Sequence, residues 1–172
     1  MTTPPHAIQR AAGKTTRPVA RPVKKAKASD TASHQFRLLD HLPHLLRRAY
    51  FEAEAIFPVL FGNHVTSRQL ALLVAIGRAP GASQREVAEQ IGLDPNTCSD
   101  LVARSIKKGL ISRKRSATDE RTFCLHLTND GLDVMNHGIQ HAAHYQAALA
   151  QHLTDVECRQ LKDLLQKLLG FG

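Results

Sequence analysis

Between Arg104 and Arg121 the sequence gathers seven basic side chains (Arg104, Lys107, Lys108, Arg113, Lys114, Arg115 and Arg121) against two acids, Asp119 and Glu120. A second basic zone occupies residues 1–30, where Arg10, Lys14, Arg17, Arg21, Lys24, Lys25 and Lys27 face Asp30 alone. The formal charge of the whole chain is +8, so the body outside these two zones is slightly acidic. Cations gathered in this way point to a polyanion as partner, whereas charge that merely keeps a protein soluble is the plainer alternative. Just ahead of the zone from Arg104 to Arg121 stand Asn96, Thr97 and Ser99, short polar side chains able to hydrogen-bond base edges or phosphates. His137, His141 and His144 recur at i, i+4 and i+7, near one face of a helix, a spacing that could hold zinc. No cysteine or carboxylate joins them at ligand spacing, and we expect no metal site. The three cysteines, Cys98, Cys124 and Cys158, form no CxxC or CxxH pair, which excludes a disulfide framework or a zinc ribbon. Phosphate-binding glycine loops, HExxH and serine-nucleophile elbows are absent from the sequence. We therefore expect neither an enzyme nor a cofactor.

The elements that must position these groups follow from periodicity and caps. Residues 1–32 contain Pro4, Pro5, Pro18 and Pro22 and almost no large apolar side chains, so they read as a disordered basic tail. From Leu38 to Leu60 apolar residues fall at helical spacing, and Pro43, tolerable only in a first turn, sets the start of a long helix near Asp40–His41. Thr66 to Gln69 and Ser83 to Glu86 read as capping boxes, opening helices that end near Gly77 and at Gly92. Asp94 followed by Pro95 gives an N-cap with proline at N1, for a helix to about Lys108 capped by Gly109. The period then changes from 3.6 to 2, predicting short strands over 111–114 and 121–127 joined by a polar connection. In residues 129–152 the positions Leu132, Met135, Ile139, Ala142, Gln146, Leu149 and Leu153 suggest a coiled-coil-like seam. A third capping box, Thr154 to Glu157, opens a last helix with Leu161, Leu164, Leu165, Leu168 and Leu169 in one stripe.

Two helices joined by Gly92-Leu93-Asp94 make a helix-turn-helix, and the basic hairpin after it makes the motif winged. In the helix from Asp94 to Lys108, the residues Cys98, Leu101, Val102, Ser105 and Ile106 should pack inward. Asn96, Ser99, Asp100, Ala103, Arg104 and Lys107 should face out. Ser83 and Gln84 open the preceding helix, whose free backbone N–H groups favour a phosphate.

The chain resembles the MarR family of bacterial transcriptional regulators. The resemblance rests on Val65-Thr-Ser-Arg-Gln-Leu70, Gln90-Ile-Gly-Leu-Asp94, Leu101-Val-Ala-Arg104, Lys107-Lys-Gly-Leu-Ile111, Asp119-Glu-Arg121 and Leu127-Thr-Asn-Asp-Gly131, and spans roughly residues 36–169. It implies a mainly α fold with a small β-hairpin wing: a winged helix-turn-helix lobe plus a helical dimerisation region. The segments would be a tail (1–32), an N-terminal dimerisation helix (33–62), the DNA-binding lobe (63–128) and C-terminal dimerisation helices (129–172). The implied protein is a cytoplasmic homodimer on a palindromic operator in double-stranded DNA. Its contacts would come from Ser83, Gln84, Asn96, Thr97, Ser99, Arg104, Lys107, Arg113, Arg115, Asp119 and Arg121. Asp119 would orient Arg121 for the minor groove, where negative potential is high. Relatives commonly carry a basic residue where this chain has Asp100. That carboxylate either accepts from a cytosine amine or pairs with Arg104 one turn on.

Family members are released from DNA by small effectors bound between the dimer helices and the winged lobe. Here His41, His44 and Arg48 form a polar strip beside Leu42, Leu45 and Leu46, with Arg47 adjacent. An apolar wall with a cationic strip suits an aromatic acid or its acyl-CoA thioester, the effector expected of a repressor of aromatic-compound catabolism. Alternatives are a metal-responsive or redox-responsive regulator of the same family and a non-specific architectural DNA-binding protein. No apolar run approaches the roughly 20 residues of a membrane span, and the first residues lack the apolar stretch of a signal peptide, so no membrane partner is expected.

Overall fold

The computed structural model describes residues 36–115 and 123–171. The expected disordered tail and the wing tip with Asp119 and Arg121 lie outside the described residues. The chain divides into a unit of residues 1–37 and a unit of residues 38–172; the architecture below is that of the second.

A 3-10 turn over Leu38–Asp40 leads into α1 (Leu42–Phe61), with proline in its first turn as the sequence required. Pro58, inside the last turn of α1, does not end it; the helix stops at Gly62, which has φ +69°. α2 (Ser67–Arg78) and α3 (Gln84–Ile91) both start at complete capping boxes, on Thr66 with Gln69 and on Ser83 with Glu86. Gly92 ends α3 in the left-handed conformation, and Asp94 opens α4 (Pro95–Lys107) by accepting from the N–H groups of Asn96 and Thr97. Strands β1 (Ile111–Arg115) and β2 (Phe123–Leu127) pair antiparallel, Ile111 opposite Leu127 and Arg115 opposite Phe123. The segment before α3 adds to the hairpin edge: Gly81 N–H donates to the Leu125 carbonyl at 3.1 Å and Leu125 N–H to the Ala82 carbonyl at 3.0 Å. α5 (Asn129–Leu149) and α6 (Asp155–Leu168) complete the order.

The core lies where α2, α3, α4 and the hairpin meet, around Leu72, Leu73, Ile76, Val87, Leu101, Val102, Ile111 and Leu125. This apolar set buries itself mostly inside one lobe, with Val134 and Met135 packed against it. Ala88 sits buried at the crossing of α3 with the core.

The expected seam on α5 lies mostly away from the core of this lobe, and the single chain leaves it uncovered. Of its positions only Met135 packs on the core, while Leu132, Ile139, Leu149 and Leu153 stay exposed. The inward face runs instead through Gly131, Gly138 and Tyr145, seven residues apart, with Val134 and Met135 between them. A Cβ on Gly131 would lie 1.9 Å from the Leu110 carbonyl oxygen, and one on Gly138 2.4 Å from Leu70 Cδ1. Close approach selects residues without side chains, so counting apolar residues does not reveal this inward face.

Candidate nucleic-acid interface

The first turn of α4 owes its shape to one carboxylate. Asp94 Oδ1 accepts from Asn96 N–H and Thr97 N–H, both at 3.1 Å, and its Oδ2 from the Thr97 hydroxyl at 2.5 Å. Those bonds, the Thr97 hydroxyl foremost, hold the Asp94 carboxyl below the usual carboxylate range. Thr97 is half-buried with its hydroxyl committed to this cap, while Asn96 and Ser99 are exposed on the same turn. Further along, Asp100, Ala103, Arg104 and Lys107 are exposed and Cys98, Leu101, Val102 and Ser105 are buried, the division predicted from the sequence. Arg104 does return to Asp100, but Nε donates to the backbone carbonyl at 3.3 Å, so the bond does not involve the carboxylate.

Two expected contact residues, Gln84 and Arg113, are brought together by the packing of α3 and β1 beside Cys98 of α4. Arg113 Nη2 donates to Gln84 Oε1 at 2.6 Å, tying the wing to the start of α3. The carbonyl of Gln84 receives the Cys98 thiol at 3.7 Å. Burial pushes the Cys98 thiol up, which leaves it less thiolate than an ordinary cysteine. Ser83 is half-buried in its capping box, with Glu86 held below the usual range by the Ser83 backbone and hydroxyl. At the far end of β1 the guanidinium of Arg115 stands 5.9 Å from the centroid of the Phe123 ring, a cation–π distance that extends the basic strand. The resulting surface presents a helix N-terminus with an amide and a hydroxyl, then Arg104 and Lys107, flanked by Arg113, Lys114 and Arg115. Such a surface can bind a phosphate backbone and read groove edges.

The comparisons agree with this geometry. The sequence profile of the MarR family matches residues 65–122. The HTH-type transcriptional regulator BilQ of Clostridium symbiosum is 33% identical over 101 residues, covering 58% of this chain and 69% of that protein. The PcaV transcriptional regulator of Streptomyces coelicolor, solved with its natural ligand, superposes with a TM-score of 0.74 at 30% identity, over 78% of this chain and 96% of that one. BpsR of Bordetella bronchiseptica, whose DNA binding is regulated by 6-hydroxynicotinic acid, superposes with a TM-score of 0.68 at 25% identity, over 74% and 97%. The chain belongs to the MarR family.

It is a transcriptional regulator with a winged helix fold. Among the described residues, no helix is long and apolar enough to cross a membrane.

The four residues expected to meet an effector lie along the start of α1 in this MarR-family chain. His41 is its N-cap residue, His44 Nδ1 lies 2.9 Å from Arg47 Nη2, and Arg47 and Arg48 are exposed. None of the four lines the 330 Å³ cavity between the end of α1, α2 and α5, which is formed by Phe61, His64, Val65, Leu70, Val134 and His137 among others. A second polar cluster escaped the sequence reading. Arg68 Nη2 donates to the Tyr50 hydroxyl at 2.5 Å, the Ser67 hydroxyl to Glu54, and the Tyr145 hydroxyl to the Ala53 carbonyl at 2.9 Å. Burial pushes the Tyr145 phenol up, with Glu54 and Tyr50 adding to the effect. These bonds span up to 92 positions in the chain, and no local pattern announces them. The histidine run is used in packing: the His137 and His141 rings lie 4.2 Å apart and the Phe61 ring meets both edge-on. No group of three or more metal-ligating side chains occurs among the described residues.

Proposed function

We propose that this MarR-family regulator is a homodimeric repressor that reads a pseudo-palindromic operator and leaves it when an aromatic acid, or its acyl-CoA thioester, binds. The observation that carries the reading is the first turn of α4. Its cap engages Asp94 and Thr97, while Asn96 and Ser99 stand exposed on the helix that carries Arg104 and Lys107. Recognition helices read base edges from their N-terminal turns, and the amide of Asn96 suits the N6/N7 edge of adenine. Ser83, Gln84, Arg104, Lys107, Arg113 and Arg115 would supply phosphate contacts, with Asp119 and Arg121 reaching the minor groove from the wing tip. Aromatic-acid control is supported by BpsR, a relative that answers to 6-hydroxynicotinic acid. Arg47, beside His44, and Arg48 offer the cations such a carboxylate needs, next to the apolar face of α1.

Selection of duplexes from a random pool tests the first half: two half-sites about one helical turn apart are expected. Asn96→Ala should cost about 1–3 kcal/mol on the best duplex and relax preference at one position per half-site. Weakening equal at every sequence would assign Asn96 to phosphate instead. A thermal-shift screen of phenolic and heteroaromatic acids and their CoA thioesters, followed by release of the selected duplex, tests the second half. Stabilisation or release by zinc or peroxide, with none by the acids, would replace the aromatic effector by a metal or redox signal.

A further inference from the structure

Lys108 is counted among the cations that follow the helix-turn-helix, yet its ammonium group is engaged within the protein. Nζ donates to the His64 carbonyl at 2.6 Å and to Gln69 Oε1 at 3.1 Å. Gln69 is 3% exposed, an unusual setting for a glutamine whose cap role needs no burial. Its Oε1 also accepts from Thr66 N–H at 3.2 Å, and its Nε2 donates to the Ser105 hydroxyl at 3.3 Å. Ser105, fully buried, passes its own proton to the Leu101 carbonyl at 2.8 Å. One side chain thus closes the cap of α2, reaches the interior of α4 and holds the residue that caps α4 at its C-terminus.

From this we infer that Gln69 and Lys108 are positioning residues for DNA binding, a clamp that sets the tilt and rotation of α4 against the α1–α2 junction without touching DNA. The rest of the contact between α4 and α2 is apolar, through Leu101 and Val102. Apolar burial fixes which face points inward but is non-directional, so it tolerates small rotations. Hydrogen bonds to a charged donor are directional and about twice as strong as neutral ones, and these meet at the end of the recognition helix where leverage on its tilt is greatest. Lys108 also stands between two cavities. One, of 390 Å³, is lined by Thr66, Gln69, Leu101, Arg104 and Lys107 as well, and the other, of 400 Å³, by Asn63, His64, Val65, Leu110 and Val134. The space on both sides leaves the Lys108 side chain itself held by these bonds, while Leu110 and Ile111 are buried just beyond the helix end. His64 lies in the connection from α1 to α2, so a shift of α1 is passed to α4 through this carbonyl.

The inference rests on the DNA-binding reading, and the salt dependence of binding separates the two. The probe is the duplex that the wild-type chain selects from a random pool, titrated over a range of KCl concentrations. Lys108→Met, which keeps the apolar stem, should weaken binding about tenfold at an unchanged slope of log K against log salt. Lys107→Met, removing a phosphate contact, should lower that slope by about one. Gln69→Met should also weaken binding, and the double variant should lose less than the sum of the two single losses, because both remove the bond between Lys108 and Gln69. Gln69→Glu keeps the acceptor for Thr66 and Lys108 but loses the donor to Ser105, and should bind better than Gln69→Met and more weakly than the wild type. Hydrogen exchange in the free protein should rise at residues 104–109 in Lys108→Met and stay unchanged at Leu72 and Leu73. A reduced salt slope in Lys108→Met, unchanged affinity, or additive losses in the double variant would overturn the clamp. A wild-type chain that selects no duplex would sink the function reading instead; unchanged exchange in Lys108→Met would then still overturn the clamp.

Discussion

Asp94 shows how much of the recognition surface depends on single side chains. Its carboxylate joins two backbone N–H groups and the Thr97 hydroxyl, so three donors converge on it at the start of α4. With its pKa below the unfolded value, the group stabilises the fold fully above about pH 4, and that contribution is lost as pH falls through the folded pKa. Asparagine caps equally well but does not titrate. Asp94→Asn should therefore match the wild type more closely as pH is lowered from 7 to 3, read as urea midpoints at each pH. A gap between the two that stays constant across that range would show that the carboxylate charge is not the source. Such caps were legible in the sequence because donor and acceptor lie within three positions of each other. Gln69 was legible only for its cap. Its bonds to Ser105 and Lys108 cross 36 and 39 positions, and nothing near Gln69 in the sequence marks it as buried.

Among the elements, α5 has an inward face that sequence patterning does not show. Helices α2 to α4 and both strands were readable from caps and periodicity, since their apolar faces close on one another within residues 65–128 and local rules suffice. α5 crosses this lobe through glycines, and the joint at its first turn is the tightest in the described structure. Thr128 N–H donates to the Leu110 carbonyl at 3.1 Å, the Thr128 hydroxyl to the Gly109 carbonyl at 2.6 Å, and Gly131 N–H returns to the Thr128 hydroxyl at 3.0 Å. These bonds lock the base of the wing to the start of α5. A methyl group at position 131 would meet the Leu110 carbonyl, a backbone atom that cannot swing aside. Gly131→Ala should destabilise by about 3 kcal/mol through this overpacking, against at most about 1.5 kcal/mol for Gly138→Ala, where the obstacle is the tip of Leu70. Denaturant unfolding measures both, and equal effects would refute the distinction between a backbone and a side-chain obstacle.

On the scale of the whole molecule, the two ends of the body carry apolar surface that one chain does not cover. α6 buries none of its residues, and Leu161, Leu164, Leu168 and Leu169 are exposed along it. α1 likewise exposes Leu42, Leu45, Leu46, Phe51 and Val59, with Phe57 its one buried residue. Contiguous apolar patches of this extent mark an interaction surface, and a helix of 14 residues is marginal in water by itself. The stripe on α6 was visible in the sequence, but its partner was not, because the spacing of leucines fixes a face and leaves open what covers it. In the proposed homodimer the stripes of two copies cover each other, which also holds two α4 helices at a fixed separation. Leu164→Glu, the substitution of a residue 65% exposed in the single chain, should leave the winged lobe folded. Across a two-fold interface it introduces two charges at once, each of which must be desolvated without a partner. The expected result is a monomer by light scattering at micromolar concentration, with part of the helical circular dichroism lost as α6 frays. Affinity for the selected duplex should fall by roughly a hundredfold or more, since a monomer engages one half-site and forfeits the effective concentration of the second. A Leu164→Glu protein that stays dimeric and binds normally would assign the stripe to another partner, and the spacing of the recognition helices would then have to be set by α1 alone.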